Sequence, residues 1–290
     1  MPQIPTDSES IAESEPHHGI HHIGNGLAYI RTAIVNVVFW RAPDGGWVLV
    51  DAGVTGSKSA IMMAAKRFVG SDTKPKAIVL THGHFDHVGT LEDLAQTWDT
   101  PIFAHSLEHP YLNGSAAYPD GDPTVGGGLM ASLSRYYPTK PIDVSRWLQG
   151  LPADGTIPAM PGWRWIHTPG HSPGHVSLFR DSDRCLIAGD AFVTTKQESA
   201  YAVMFQTPEM HGPPQYFTID WEKAKASVGR LADLRPDLVV TGHGRAMHGP
   251  QMTTALEELA RKFDEVAVPK TGRYVRQPAR VEDGTAYVGA

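Results

Sequence analysis

Residues 81–89 read Thr-His-Gly-His-Phe-Asp-His-Val-Gly, directly after the apolar run Ala77 to Leu80. Three imidazoles and a carboxylate within six positions is a density that neither strand nor helix needs, because histidine and aspartate are poor β-formers and costly to bury without partners. At the end of a strand such groups suit a metal ion. His82 and His84 stand two apart in extended chain and share one side, while Asp86 and His87 occupy the turn that opens a helix expected from about Val88 to Thr97. One tetrahedral zinc takes three protein ligands and a water, so four candidates in one segment point to two ions.

The pattern of apolar strand, tight turn and metal-type residue recurs three times. Trp163-Arg-Trp-Ile-His-Thr-Pro-Gly-His171-Ser-Pro-Gly-His175 places histidines in a Pro/Gly-rich loop, Cys185-Leu-Ile-Ala-Gly-Asp190 ends on a carboxylate, and Leu238-Val-Val-Thr-Gly-His243-Gly ends on an imidazole. Taken in order, His-x-His-x-Asp-His, then His, Asp and His, the chain resembles the metallo-β-lactamase superfamily over about Ile20 to Ala267.

That resemblance implies an α/β fold: a four-layer αβ/βα sandwich of two mixed β-sheets flanked by helices, with the metal site at one edge. Carried over by position, it makes His82, His84 and His171 ligands of one metal, Asp86, His87 and His243 ligands of the other, and Asp190 the bridge. Asp51, ending Trp47-Val-Leu-Val-Asp, and His175 match positions that orient ligands by hydrogen bonds. Two Zn²⁺ are expected, with manganese or iron as alternative occupants of the same nitrogen and oxygen donors. A shared water with its pKa lowered towards about 7 would supply a bridging hydroxide, and Asp86 is the expected catalytic residue, orienting it and relaying its proton.

Hydrolysis of a lactone, ester or thioester is the leading expectation for this enzyme. True β-lactamases of the family are usually exported and lack the bridging aspartate, the glyoxalase II type carries a C-terminal helical domain, and the nucleases carry basic surfaces or insertions. The alternatives are a mononuclear iron oxidoreductase of the persulfide dioxygenase kind, a phosphodiesterase, a β-lactamase and a non-catalytic metal-binding module. The segment after Asp190 holds Phe192, Tyr201, Met204, Phe205, Met210, Tyr216 and Phe217 but only Lys196 as a cation. Phe192, Tyr201, Phe205 and Tyr216 are therefore the expected lining of an apolar substrate pocket, since a phosphodiester would call for more Arg or Lys.

Composition narrows the partners. A chain of 290 residues with 41% hydrophobic content buries a large core, and a net charge of −6 without a Lys/Arg run excludes a general nucleic-acid binder. A small-molecule substrate is expected, with no nucleic acid and no membrane; a homo-oligomer is compatible with the sequence. Cys185 is the lone cysteine, so no intrachain disulfide forms. Met1 to Pro16 is acidic and polar without the apolar stretch of a signal peptide, and no apolar run is long enough to span a bilayer, from which a cytoplasmic location is expected.

The expected organisation is a flexible polar segment at 1–16, the metallo-β-lactamase-like domain at 17–267 with an insertion at about 106–161, and a C-terminal arm at 268–290. The insertion is expected to contain a helix around Leu129 to Tyr136 and aromatics at Tyr111, Tyr118, Tyr136 and Tyr137. Of the other histidines, His17, His18, His21 and His22 are read as surface residues, His105, His109, His211 and His248 as loop residues near the site, and His167 as a satisfied strand histidine.

Overall fold

Alternation along the strands separates the layers. In the computed structural model, which describes residues 3–13, 16–17, 19–70 and 72–289, Leu27 and Tyr29 of the strand Leu27–Thr32 face one core while Ala28 and Ile30 face another. The first core lies between two sheets and joins Tyr29, Val38, Trp40 and Val50 to Val176, Leu178, Cys185 and Ile187. Trp40 and Trp163 meet edge to face across it with ring centroids 6.2 Å apart. Each such large apolar side chain contributes roughly 1.5–3 kcal/mol by leaving water. The outer face of the first sheet packs on the helices Lys58–Val69 and Leu91–Trp98, and that of the second on Trp221–Asp233 and Gly249–Arg261. Helix, sheet, sheet, helix is the four-layer sandwich.

The first sheet has seven strands in sequence order: His21–Gly24, Leu27–Thr32, Val35–Arg41, Trp47–Val50, Ala77–Val79, Ile102–Ala104 and Leu148–Gly150. The second has five: Trp163–His167, Val176–Arg180, Cys185–Gly189, Leu238–Thr241 and Met247–His248. Both are mixed. The last four strands of the first sheet run parallel, as do Cys185–Gly189 and Leu238–Thr241 in the second. Parallel strands carry their C-terminal ends to one edge, which is where open α/β sheets gather ligand-binding loops. Asp51, the 80–87 segment, Glu108, Asp190 and His243 all follow such ends.

Several expectations need correction. The polar start is tied down where it is described: Ile4–Pro5 pairs with Glu209–Met210, Ile4 is buried, and Asp7 caps a turn at Ser8–Ser10. Residues 1–2, 14–15 and His18 lie outside the described residues. The insertion at 106–161 is no pure excursion, because Leu148–Gly150 pairs parallel with Ile102–Ala104 and forms the sheet's last strand. Three residues without alternation gave no strand signal. The expected helix near Leu129 runs over Leu129–Leu133 and tightens to a 3₁₀ turn at Ser134–Tyr136. The expected helix from Val88 divides at Gly89 into Phe85–Val88 and Leu91–Trp98, and the run from Met252 to Val266, which the sequence also reads as one helix, belongs to two, Gly249–Arg261 and Phe263–Val266. The C-terminal arm packs against the body through Tyr274, Ala279 and Ala286, and Val288–Gly289 pairs with Ala116–Ala117. No described helix is long and apolar enough to cross a membrane.

Candidate metal centre

The strand ends bring the seven sequence-predicted ligands together. Ligand atoms of His82, His84 and His171 converge within 4.8 Å, as do those of Asp86, His87 and His243, and those of His82, His87 and Asp190. All seven side chains are buried. Asp190 stands between the two triads: its Oδ2 lies 3.0 Å from His243 Nε2 and 3.5 Å from His171 Nε2, and its Oδ1 3.5 Å from His87 Nε2. Asp86 Oδ2 lies 3.5 Å from His243 Nε2.

Four of the five candidate-ligand imidazoles are aimed by their other nitrogen. His87 Nδ1 meets Asp51 Oδ2 at 2.8 Å, His243 Nδ1 meets the Ile34 carbonyl at 2.6 Å, His82 Nδ1 meets Thr81 Oγ1 at 3.1 Å and His171 Nδ1 meets Thr218 Oγ1 at 3.3 Å. His84 turns the opposite way, with Nδ1 inward, 2.9 Å from His171 Nε2. Asp51 adopts a left-handed backbone at φ 63° and also accepts from Thr81 N and Oγ1, both at 2.8 Å, so one carboxylate braces His87 and the base of the His82 loop. His175 Nε2 accepts from the backbone N–H of Asp190 at 2.9 Å, which fixes the residue between the triads. Asp51 and His175 thus touch ligand residues at the two positions singled out from the sequence.

Close backbone approach is required at Gly242. A Cβ there would lie 2.0 Å from Asp190 Oδ1 and 2.9 Å from His87 Cε1. The sheets are stitched beside it, with Asn36 N–H donating to Gly242 O at 2.7 Å and Asn36 Nδ2 to Thr241 O at 2.9 Å.

The electrostatics divide the cluster. Burial, with neighbouring imidazoles adding to it, holds His82 and His171 well below the ordinary histidine value, and His84 and His175 down at about 3. Burial also opposes charge on His87 and His243, but Asp190, with Asp51 beside His87 and Asp86 beside His243, outweighs it and raises both. Asp190 is held well below the usual carboxylate value, because His243 and His87 overcome its burial. Burial raises Asp86.

These residues fit a cation. His82 Nε2, His87 Nε2 and Asp190 Oδ1 are buried polar atoms with no hydrogen-bond partner, and each belongs to the converging set. Unsatisfied polar atoms cost free energy, so three of them facing one point are explained by an ion they would ligate. Neutral imidazoles and ionised carboxylates are the forms that ligate.

The expected pocket lining is corrected in three of its four residues. Phe192 is fully buried in the core between the second sheet and its helices, because the chain continues from Asp190 into that layer. Tyr201 and Phe205 are 68% and 62% exposed and meet each other with tilted rings on the helix Ala200–Phe205. Tyr216 does reach the site. It packs with Phe217 and Ala131, alongside Phe85 and Tyr137, and its buried phenol is raised well above the tyrosine value by burial and by Asp86 and Glu198. Phe217 stacks on His84 at 4.8 Å and Tyr118 lies against its ring at 4.4 Å. Neither Phe217 nor Tyr118 was assigned to His84 from the sequence. A cavity of about 320 Å³ adjoins this wall, lined by Gly83, Phe85, Glu92, Tyr118 and Lys140 among others.

Among the remaining histidines, His17 and His22 are exposed, whereas His21 is half-buried, 3.4 Å from Glu13 and stacked on Tyr29. His211, expected in a loop, is buried, with Nδ1 on Gly212 O at 3.0 Å and Nε2 3.3 Å from Glu198. His167 is satisfied through Pro173 O at 2.8 Å, as read for a strand histidine. Sequence reasoning missed Glu108, a fully buried carboxylate outside the sequence motifs. Its one signal was its place, four residues beyond the strand Ile102–Ala104.

The chain's similarity to known proteins agrees with this site. A family model described as the metallo-beta-lactamase superfamily matches residues 30–243. A probable metallo-hydrolase of Bacillus subtilis (strain 168), YflN, is 44% identical over 243 residues, covering 83% of this chain and 92% of the relative. A second from the same organism, the probable metallo-hydrolase YybB, is 32% identical over 206 residues, covering 71% and 79%. The crystal structure of ST1585, an archaeal protein of the same superfamily from Sulfolobus tokodaii, matches with a TM-score of 0.56 at 23% identity, covering 82% of this chain and 86% of that one, a likeness of fold.

Proposed function

The chain belongs to the metallo-beta-lactamase superfamily, and from that premise we propose that it is a dinuclear zinc hydrolase acting on a lactone, ester or thioester. The observation that carries the reading is the pair of buried triads sharing Asp190, with unpartnered donor atoms of His82, His87 and Asp190 turned into the space between them. Seven candidate ligands exceed what one tetrahedral ion takes. That YflN is named a probable metallo-hydrolase supports the class.

Bound there, two cations would supply Lewis-acid polarisation of the substrate's oxygen and a water acidified for attack. His82, His84 and His171 would hold one and Asp86, His87 and His243 the other, with Asp190 touching both. Asp86 is less deeply buried than His82, His87 or His243, and burial raises its pKa, so its carboxyl group is suited to accept a proton from the attacking water and return it to the leaving group. The phenol of Tyr216 stays protonated at neutral pH and is available as a donor near Asp86. Phe85, Tyr137 and Phe217 exclude water from the approach to His84 and Asp86. Lys140 is the single cation among the residues lining the adjoining cavity, beside Glu92 and Asp93, which favours an uncharged acyl or lactone group over a phosphodiester.

Two measurements test the reading. Metal analysis of protein purified without added metal should give about two zinc-class ions per chain; a single iron overturns it in favour of an iron oxidoreductase. The zinc-loaded protein should then show higher kcat/KM for apolar lactones, aryl esters or thioesters than for an aryl phosphodiester. Asp86→Asn should lower kcat beyond what its metal loss accounts for, and full rate with full metal content would remove the proton role.

A further inference from the structure

Among the described residues, Glu108 is a fully buried carboxylate that accepts hydrogen bonds from both histidine loops. It lies on the 3₁₀ turn Ser106–Glu108, after the parallel strand Ile102–Ala104. One oxygen, Oε2, accepts from the backbone N–H of Gly83 at 2.9 Å and from the Tyr118 hydroxyl. The other, Oε1, accepts from Ser172 Oγ at 2.8 Å and from the backbone N–H of Gly174 at 2.7 Å. Gly83 separates His82 from His84; Ser172 and Gly174 lie between His171 and His175. A single side chain therefore holds the two loops that carry the all-histidine triad, gripping one by the Gly83 amide and the other by the Gly174 amide and the Ser172 hydroxyl, with the Tyr118 hydroxyl as its fourth donor.

Nothing about the fold demands a charge at this point. The two loops already meet through Val176 N–H on Thr81 O at 2.9 Å, and an ionised carboxylate is among the most expensive groups to bury. Burial does push the Glu108 pKa up, while its four donors pull the other way. Four donors saturate a carboxylate's two oxygens, the arrangement that makes such a group a rigid spacer. The spacer is itself braced. Tyr118 bonds Gly83 N–H at 2.9 Å, lies against the His84 ring, and stacks on Tyr111 at 3.6 Å. The Tyr111 hydroxyl donates to Ala286 O at 2.8 Å, and Tyr287 donates to Leu107 O at 3.0 Å. The C-terminal arm thus backs the insertion, and the insertion backs the loops.

Resting on the dinuclear reading above, we propose that Glu108 is a positioning residue for the His82/His84/His171 triad: it sets the separation of the two loops, and Tyr118 and the C-terminal arm hold it in place. It touches no candidate ligand side chain and acts only through Gly83, Ser172 and Gly174. Space is tight around it, since a Cβ on Gly174 would lie 2.8 Å from Glu108 Cγ and one on Gly83 2.8 Å from the Tyr118 hydroxyl. An amide at 108 keeps the shape but presents N–H to one backbone N–H, so Glu108→Gln releases one loop while filling the same volume.

The experiment uses the full chain stripped of metal. Zinc affinity is read by competition with a chromophoric chelator, ligand geometry by the visible spectrum of the cobalt-loaded protein, and folding by thermal unfolding of the metal-free form. His171→Ala and His243→Ala identify which binding equivalent belongs to which triad. Glu108→Gln should weaken the equivalent that His171→Ala abolishes by about 10–100-fold, the usual effect of removing a group that orients ligands, and should change the cobalt bands. The equivalent abolished by His243→Ala should keep its affinity. Tyr118→Phe and Ser172→Ala should weaken the same equivalent by smaller factors, and they carry the test if Glu108→Gln does not fold. Wild-type zinc affinity and an unchanged cobalt spectrum in these variants, whatever their melting temperatures, overturn the positioning role alone. A wild-type chain that takes up no metal overturns the dinuclear reading and this inference with it.

Discussion

His82, His84 and His171 form a triad that burial keeps neutral, backed by hydroxyls and held from behind by Glu108. A few ångströms away, Asp86, His87 and His243 sit among carboxylates, and the two imidazoles are drawn towards the charged form by Asp190, Asp51 and Asp86. The same sheet edge thus builds one set of imidazoles that burial favours in the neutral, ligating form and one that neighbouring carboxylates favour in the charged form. The difference traces to what meets the rings. Thr81 and Thr218 hydroxyls back His82 and His171, whereas the carboxylates of Asp51 and Asp190 meet His87 and His243.

Asp190 is the residue the comparison turns on, because it faces both sets. Asp190→Ala should empty both sites and lower turnover by about three orders of magnitude, the scale on which losing a direct electrostatic contact at a reacting centre is felt. His243→Ala should leave one ion in place. Metal content measured on both variants decides, and equal loss from the two would erase the distinction between a shared ligand and a single-site ligand.

Acidity separates the triads next. In the metal-free protein His87 and His243 titrate above the ordinary 6.5, so near neutrality a cation must expel their protons, and its affinity should rise by about tenfold per pH unit for each proton displaced. His84 titrates at about 3, with His82 and His171 well below the ordinary value, so nothing is expelled there until strongly acid pH. On lowering pH from 8, the Asp86/His87/His243 ion should leave first. Loss of both ions at one pH, followed by metal analysis after rapid desalting, would break the contrast.

How much of this was legible in the sequence follows from what each residue type dictates. Histidines and aspartates at strand ends have few structural uses, so a metal-type cluster was readable, and the resemblance to the metallo-β-lactamase superfamily supplied the order of the seven candidate ligands, Asp51 and His175. Aromatic residues have many uses. Phe192 is two positions from Asp190 yet points into the helix-covered core, while Tyr201 and Phe205 fall on a short helix whose apolar side meets solvent. Only the packing of the 200–217 segment against the insertion selects Tyr216 and Phe217 for the site, and that packing is set by Val125, Met130, Ala131 and Tyr137, far upstream in the chain. Glu108 was silent for a related reason: two of its four partners are backbone amides, which no side-chain pattern reveals, and the hydroxyls of Tyr118 and Ser172 lie 10 and 64 positions away.

Asp51→Asn probes the charged side of the contrast at closer range. The amide keeps the shape but cannot accept from His87 Nδ1 and from Thr81 at once, so it should weaken the Asp86/His87/His243 equivalent by about 10–100-fold and lower the pH at which His87 gives up its proton. Chelator competition at several pH values reads both. An unchanged pH dependence would mean that Asp190 alone sets the charge of His87.

The smallest effect is expected behind His171. Its Nδ1 meets Thr218 Oγ1 at 3.3 Å, the longest of the bonds that aim these imidazoles, and Thr218 Oγ1 itself donates to Pro214 O at 2.8 Å. A hydroxyl that gives its proton to a carbonyl can only accept from the imidazole, which selects the tautomer with Nδ1–H and leaves Nε2 as the ligand atom. Thr218→Val removes that acceptor and keeps the volume. One neutral hydrogen bond of this length is worth about 0.5–1.5 kcal/mol, a two- to tenfold loss of zinc affinity in the all-histidine triad. The other triad should not respond. A loss as large as that of Glu108→Gln would show that the tautomer of His171, rather than the spacing of the loops, governs this side of the centre.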